Sequence, residues 1–438
     1  MTTDTSLRIA LISEHASPLA RPGGVDAGGQ NVYVAQVARA LAAMGHHVDV
    51  FTRCDSPQLA ACVFMRSRLR VFNVCAGPLD FVPKEQLMSY MPAFVQSMRR
   101  IVRHSLPYDL VHANFFMSGW VAMALQRALG LPMVVTFHAL GLVRQQHQGS
   151  ADAFPPVRID IERRIVRRAQ RLIAECPQER EDLLRLYGAD ASRISTVPCG
   201  VDLQQFRPRD RAAARHRLGL APDEFVVLQL GRLVPRKGIE HVVRAVARLH
   251  GSLKPRLLIV GGETRQPDEA RTPELARLRA IAQASGAGER VVFVGQRDRD
   301  ELADYYAAAD VFATTPDYEP FGITPLEAMA CCTPVLGSAV GGIQHTVVDG
   351  VTGFLVPPAD APALAQRMAL LQANPALRMA MGRAGMARVR SLFTWDKVAT
   401  GLDAAYRLAL APAGSASAQD LPMSSPQRGA TVALGAGS

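Results

Sequence analysis

The chain has 438 residues, 48% hydrophobic and 20% charged; that length exceeds one ordinary core and that balance excludes a mostly disordered protein, so two domains of about 200 residues each are expected. No apolar run approaches the roughly 20 residues that cross a bilayer, and Met1 to Ser6 lacks a basic segment leading into an apolar one, which together argue for an intracellular, cytoplasmic protein. Seven cysteines without a Cys-x-x-Cys pair exclude a zinc ribbon or disulfide framework, and the formal charge of +10 favours anionic partners without choosing among nucleotide, sugar phosphate, membrane surface and nucleic acid.

Leu7 to Ile12 reads as a buried strand. It runs through a glycine-rich loop, Arg21 to Gln30, into a helix over Asn31–Met44, and Gly45 ends that helix before the strand His47–Thr52. This is a βαβ unit whose elbow does not match Gly-x-Gly-x-x-Gly, so a nicotinamide dinucleotide is not indicated. Strands over Arg70–Val74, Leu110–His112 and Met133–Phe137 alternate with helices near Met88–His104 and Trp120–Leu129. His138 follows the last of these strands, on the edge where open α/β sheets place ligands.

Arg158 to Arg171 reads as a basic helix with a solvated face. Peripheral contact with anionic lipid is its alternative reading, and no base-reading module accompanies it to suggest nucleic acid. A polar connector then leads to a second α/β series: strands at Phe225–Leu230, Leu257–Val260, Val291–Val294, Val311–Ala313, Pro334–Gly337 and Phe354–Val356, with helices between. Helices follow over Ala361–Gln372, Arg378–Arg390 and Trp395–Leu410, and the Ala/Gly/Ser/Pro-rich tail beyond Ala411 is expected to be disordered. The domains are expected over 1–205 and 206–394, with a C-terminal helix over 395–412 packing back on the first domain and a tail over 413–438.

The chemistry-bearing groups of the second half stand at strand ends. Gly231-Arg232-Leu233-Val234-Pro235-Arg236-Lys237-Gly238 follows one strand. Glu319-Pro320-Phe321-Gly322-Ile323-Thr324-Pro325-Leu326-Glu327 follows another and opens a helix. Two cations and a helix start suit a diphosphate, and a carboxylate suits a ribose diol. Asp298-Arg299-Asp300 has the look of a metal-binding Asp-x-Asp but reads as a helix cap.

These two motifs, with Gly28-Gly29-Gln30-Asn31, Pro334-Val335 and Gly341-Gly342, resemble those of retaining GT-B glycosyltransferases of family 4, over almost everything from Leu7 to Leu410. The branch they resemble holds sucrose-phosphate synthases and inositol-phosphate N-acetylglucosaminyltransferases. The resemblance implies two Rossmann-like doubly wound α/β domains facing a central cleft, with a nucleotide diphosphate sugar as co-substrate and neither cofactor nor metal. It implies that Arg232 and Lys237 hold the donor diphosphate, that Glu327 holds the ribose, and that Phe321, Gly322 and Ile323 present backbone amides. Glu319 and His138 would contact the transferring sugar, and Gly28 and Gly29 would line the cleft. Asn31, Lys84 and Arg158 would serve the acceptor, a sugar or polyol phosphate or a glycan or lipid-linked sugar. Phe115 and Ala139 stand where the inositol-phosphate enzymes carry hydroxyl side chains. The rival readings are a nucleotide-sugar epimerase or hydrolase on the same fold, and a non-enzymatic polyanion binder.

Overall fold

A computed structural model describes residues 6–20, 28–103, 105, 107–250 and 254–411. The expectations for the 413–438 tail and for most of the glycine-rich loop after Leu7–Ile12 fall outside these residues.

Eight strands form the first sheet: β1 (Arg8–Ile12), β2 (His47–Arg53), β3 (Cys62–Arg66), β4 (Leu69–Val74), β5 (Leu110–Asn114), β6 (Met133–Thr136), β7 (Arg171–Ala174) and β8 (Ile194–Thr196). Their order is β3-β4-β2-β1-β5-β6-β7-β8, parallel throughout except for the edge strand β3. Six parallel strands form the second: β9 (Val226–Leu230), β10 (Arg256–Val260), β11 (Val291–Gly295), β12 (Val311–Thr314), β13 (Val335–Ser338) and β14 (Gly353–Val356), in the order β11-β10-β9-β12-β13-β14. The central strands are near-continuous apolar runs because helices cover both faces of each sheet. In each sheet the connection direction reverses at the centre, between β1 and β5 and between β9 and β12. Such switch points leave a crevice at the carboxyl ends of the strands.

The expected basic helix over Arg158–Arg171 is corrected. The helix spans Val157–Arg168, and Arg171 opens β7, where it is buried with Nη1 donating 2.6 Å to the Ser192 carbonyl. Of its arginines, Arg163, Arg164 and Arg167 are exposed. The polar connector also holds a helix, Arg211–Leu218, capped by Asp210, whose carboxylate accepts the Ala213 N–H at 2.8 Å. Asp310, 2% exposed, binds this helix to the second sheet. It pairs with Arg215 (2.7 Å), Arg378 (3.0 Å) and Arg211, and accepts the Val226 N–H at 2.8 Å.

The Trp395–Leu410 helix crosses back to the first lobe and packs on the Gly29–Ala43 helix and on β7. Tyr406 Oη lies 2.8 Å from His112 Nδ1, and Asp403 lies 3.3 Å from His46 Nε2. One apolar cluster is therefore continuous between the lobes, passing through Val201, Phe206, Phe321, Phe393 and Trp395.

Asp310→Ala strands the buried Arg215 and the Val226 N–H together. The expected loss is about 3–5 kcal/mol of stability, measured by urea unfolding followed by circular dichroism. A change below about 1 kcal/mol would contradict the anchoring role given to Asp310.

Candidate active site

The carboxyl edges of both sheets open into one cavity of about 360 Å³. At the switch point of the second sheet, the loop after β9 carries Arg232, Arg236 and Lys237, and the loop after β12 carries Tyr318 and Glu319. One glycine lets these loops meet, and a second seats the loop after β13 (Val335–Ser338) against Glu319. Gly238 sits at φ +59°, and a Cβ there would lie 1.9 Å from the Thr315 carbonyl oxygen; the same carbonyl-to-backbone approach recurs where a Cβ on Gly341 (φ +44°) would lie 1.9 Å from the Glu319 carbonyl oxygen. The Thr315 hydroxyl donates to the Gly238 carbonyl (2.7 Å), and the Asp317 N–H donates to the Arg236 carbonyl (3.0 Å).

The loops so joined bring Lys237 Nζ onto Glu319 Oε2 as an ion pair within the cleft. Burial works to raise the Glu319 carboxyl, but Lys237, Arg236 and Arg232 overcome it and hold the group below the usual carboxylate range. Burial likewise draws the Lys237 ammonium below its ordinary value, against the attraction of Glu319. Arg236 lies over the Tyr318 ring at 5.4 Å and has a buried Nη1 without a hydrogen-bond partner. Phe321, Gly322 and Ile323 bring the start of the Ile323–Ala330 helix to the same cavity. Glu327, on that helix, is 2% exposed; it pairs with Arg299 (2.8 Å) and accepts the Tyr306 hydroxyl (2.9 Å). Two oxygens with about four lone-pair sites leave room for a diol.

On the opposite wall two non-glycine residues sit at positive φ just after adjacent strands: Phe115 (+86°) after β5 and His138 (+59°) after β6. Such conformations cost roughly 1–3 kcal/mol each and persist only where the surroundings hold them. The Phe115 N–H donates to the Thr136 carbonyl at 2.8 Å. The His138 ring stands edge-on to Tyr33 at 4.7 Å, with Nδ1 3.1 Å from Glu175 Oε1 and Nε2 2.9 Å from Asn114 Oδ1. Asn114 Nδ2 donates to the Ile12 carbonyl (3.3 Å), which turns its oxygen toward the imidazole. Burial tends to raise the Glu175 carboxyl, and His138 with the Cys199 S–H, donating at 3.0 Å, prevails and lowers it. Glu179 next to it is pushed well up by burial and by the Glu175 charge.

Gly28, Gly29, Asn31, Lys84, His138, Arg232, Lys237, Glu319, Phe321, Gly322, Ile323 and Glu327 all border the cavity. Asn31 is 4% exposed, and its amide is spent on backbone: Oδ1 accepts the Gly28 N–H (2.9 Å) and Nδ2 donates to the Ser17 carbonyl (3.0 Å). Its geometry is that of a residue positioning Gly28. Lys84 pairs with Glu85 at 3.2 Å.

Arg158 is a correction, since it does not border the cavity. It is 1% exposed, its Nε donates to Glu162 (2.8 Å), it bonds the Ala139 carbonyl, and its guanidinium lies within 4.6–4.9 Å of the Phe115, Phe116 and Phe154 rings. Three apolar rings and a carboxylate enclose the charge that was expected to face an acceptor.

Sequence reasoning missed several lining residues: His15, Arg144, Glu175, Arg236, Arg299 and Tyr318. Arg236 and Tyr318 lie inside the motifs already singled out, so a signal was present. Glu175 was hidden because the short strand β7 was merged into the preceding helix. Tyr318 also joins the lobes, its hydroxyl accepting from Gln148 Nε2 at 2.7 Å and its ring stacked on His147 at 5.0 Å. Asp298 caps the Arg299–Ala308 helix, its N–H donating to Glu301 Oε2 at 3.0 Å.

Comparison with known proteins agrees with this geometry. Residues 27–205 match the model of Glycosyltransferase Family 4, and residues 210–388 match that of Glycosyl transferases group 1. The D-inositol 3-phosphate glycosyltransferase of Acidothermus cellulolyticus is 40% identical over 425 residues, which is 95% of this chain and 94% of that protein. A sucrose-phosphate synthase from Thermosynechococcus elongatus is also 40% identical, superposes with a TM-score of 0.84, and matches over 92% of this chain and 98% of its own. The fold alone is shared with HepE of Anabaena, solved with UDP and glucose (21% identity, TM-score 0.70, over 90% of this chain and 98% of that one). Both lobes, their strand orders and the cleft between them thus lead to one assignment: the chain belongs to glycosyltransferase family 4 and has the GT-B fold.

Proposed function

We propose that the protein moves a hexosyl unit from a nucleotide diphosphate sugar to an acceptor hydroxyl with retention of anomeric configuration and without a metal ion. The observation that carries this reading is the convergence of Arg232, Arg236 and Lys237 on the start of the Ile323–Ala330 helix, with the Glu319 carboxylate paired to Lys237 among them. A departing diphosphate gains negative charge as the glycosidic bond breaks. Fixed cations and helix-start amides stabilise that charge without reorganising. Glu327 would take the ribose diol, and Glu319 would hold hydroxyls of the sugar beside its anomeric carbon.

His138, clamped between Glu175 and Asn114, would meet the sugar from the opposite wall. The acceptor would attack from the face the diphosphate leaves, passing its proton to a diphosphate oxygen, so that positioning carries most of the rate. Glu319 is ionised under the cations around it, and its charge favours the oxocarbenium character that develops at that carbon. The names of the two relatives support a sugar or polyol phosphate as acceptor, and HepE makes UDP-glucose the first donor to test.

Lys237→Ala and Glu319→Ala are each expected to lower the transfer rate at least about a hundredfold, or about 2.7 kcal/mol in the barrier. Melting temperatures should stay within a few degrees of the parent. Near-parental turnover in either variant, followed by release of the nucleoside diphosphate, would remove the proposal's main support.

A second expectation concerns protons. Burial draws the Lys237 ammonium below its ordinary value, so it gives up its proton earlier than a free lysine as pH rises, and an arriving diphosphate favours the charged form. UDP binding at alkaline pH should therefore take up protons, read by calorimetry in buffers of different ionisation enthalpy. The uptake should vanish in Lys237→Met; proton release by the parent would reverse the assigned sign.

A further inference from the structure

Glu327 borders the cavity while 2% exposed, and the side chains that hold its carboxylate come from another helix. The Tyr306 hydroxyl donates to Oε2 at 2.9 Å, and Arg299 Nη2 stands 2.8 Å from Oε1. Burial, and then the Glu327 charge, pushes the Tyr306 hydroxyl well up, so it keeps its proton and donates a hydrogen bond to the carboxylate. The Arg299 contact is an ion pair without a directed hydrogen bond, since Nη2 has no hydrogen-bond partner among the described residues. One lone pair of the carboxylate is therefore committed, and the others stay available to a ligand.

Both of these side chains rest on the same piece of chain. Arg299 Nε donates to Gln205 Oε1 at 2.8 Å, and its guanidinium lies over the Phe206 ring at 4.9 Å. The Tyr306 ring meets Phe206 edge-on at 5.8 Å. Gln205 and Phe206 lie between β8 and the Arg211–Leu218 helix, where the chain passes from the first lobe to the second. The Gln205 amide is fixed on its other side as well, Nε2 donating to Asp300 Oδ1 at 3.2 Å. Arg299 is moreover the first residue of its helix, where a cation opposes the helix dipole. A counter-ion alone would need neither that placement nor the clamp on its Nε; together they fix the guanidinium at one point beside Oε1.

Resting on the assignment of the donor ribose to Glu327 above, we infer that Arg299 is a positioning residue for the donor: seated on Gln205 and Phe206 of the interlobe connection, it holds the Glu327 carboxylate with its free lone pairs toward the ribose diol. A glutamate fixed in advance loses no rotamer freedom when the nucleotide arrives. A diol lacking one hydroxyl then leaves a buried carboxylate oxygen without its donor, so a site built this way rejects the deoxy analogue. Released from Arg299, the carboxylate can turn to other donors and the rejection weakens. The grip on the ribose is thus set by residues of the segment that joins the lobes.

The test uses the full-length protein and calorimetric Kd values for UDP, GDP and ADP, each against its 2′-deoxy counterpart. Failure to bind any of the three overturns the donor reading itself, and the inference with it. For the tightest-binding nucleotide the parent should prefer the ribo form at least about tenfold, and Glu327→Gln should bring that preference below about threefold. A parent preference below about threefold, or one kept in Glu327→Gln, overturns the assignment of the ribose to Glu327. Arg299→Met should likewise bring the preference below about threefold. Damage to the fold or the loss of a positive charge weakens both members of a pair alike, so the ratio reports the orientation of Glu327. Gln205→Leu keeps Arg299 and its charge and removes the acceptor of its Nε. It should lower the preference at least about threefold, with a melting temperature within a few degrees of the parent. Where the parent preference is present and lost in Glu327→Gln, an unchanged ratio in Arg299→Met or in Gln205→Leu overturns the inference alone.

Discussion

The cleft depends on the contact between Lys237 and Glu319. Neither residue is near the other in the chain, and their strands are brought together only because β9 and β12 are neighbours at the point where the second sheet reverses its connections. An isolated buried pair of this kind roughly breaks even in stability. Here the surroundings tilt it, because Arg232 and Arg236 add positive charge beside the carboxylate. On the proposed reading, the site is thus a carboxylate kept ionised among cations that would meet the anion of an arriving substrate. The arrangement requires two glycines: a side chain at Gly238, in the loop after β9, would collide with the Thr315 carbonyl, and one at Gly341, in the loop after β13, with the Glu319 carbonyl.

The first lobe follows the opposite rule. Arg144 and Arg158 there each have a carboxylate beside them, and its distinctive features are positional: two residues at positive φ, an imidazole held from both sides, and a buried carboxylate pair in which His138 draws Glu175 down while burial pushes Glu179 up. Two carboxylates this close cannot both keep their charge away from water, and His138 decides which does. The same logic keeps His112 neutral, with burial, and then the nearness of His138, drawing its imidazole down to about 3. The wall presents shape and hydrogen bonding, while the opposite wall presents charge.

The lobes are joined by more than one connection. The Val201–Phe206 segment, the Phe393–Trp395 segment and Phe321 form a shared apolar seam on one side. Tyr318 meets His147 and Gln148 at the mouth on the other, and Cys176 Sγ donates to the Pro320 carbonyl at 3.3 Å between them. The residues that flank Glu319 are the ones that touch the first lobe, so the position of that carboxylate is sensitive to how the lobes stand against each other. Any movement that admits or releases substrate acts directly on the reacting centre.

What the sequence by itself determined was the alternation of strands and helices and the two strand-end motifs of the second lobe. Both rest on local rules: apolar runs of strand length, glycine at sharp turns, and proline in the first turn of a helix. Arg232, Lys237, Glu319 and Glu327 were legible because their spacing within each motif is local. The family resemblance supplied His138, Lys84 and the first-lobe glycines. What only the tertiary structure decided was which charges meet. Arg158 was expected to serve the acceptor; it is buried because Phe115 and Phe116 from the far end of β5 and Phe154 from the approach to its own helix close over it, and Glu162, one turn on, neutralises it. Arg144, His15 and Glu175 carry no motif and join the site through the register of the first sheet. Whether a side chain's charge is spent or available is set by a carboxylate brought alongside by folding, and chain order does not encode that distance.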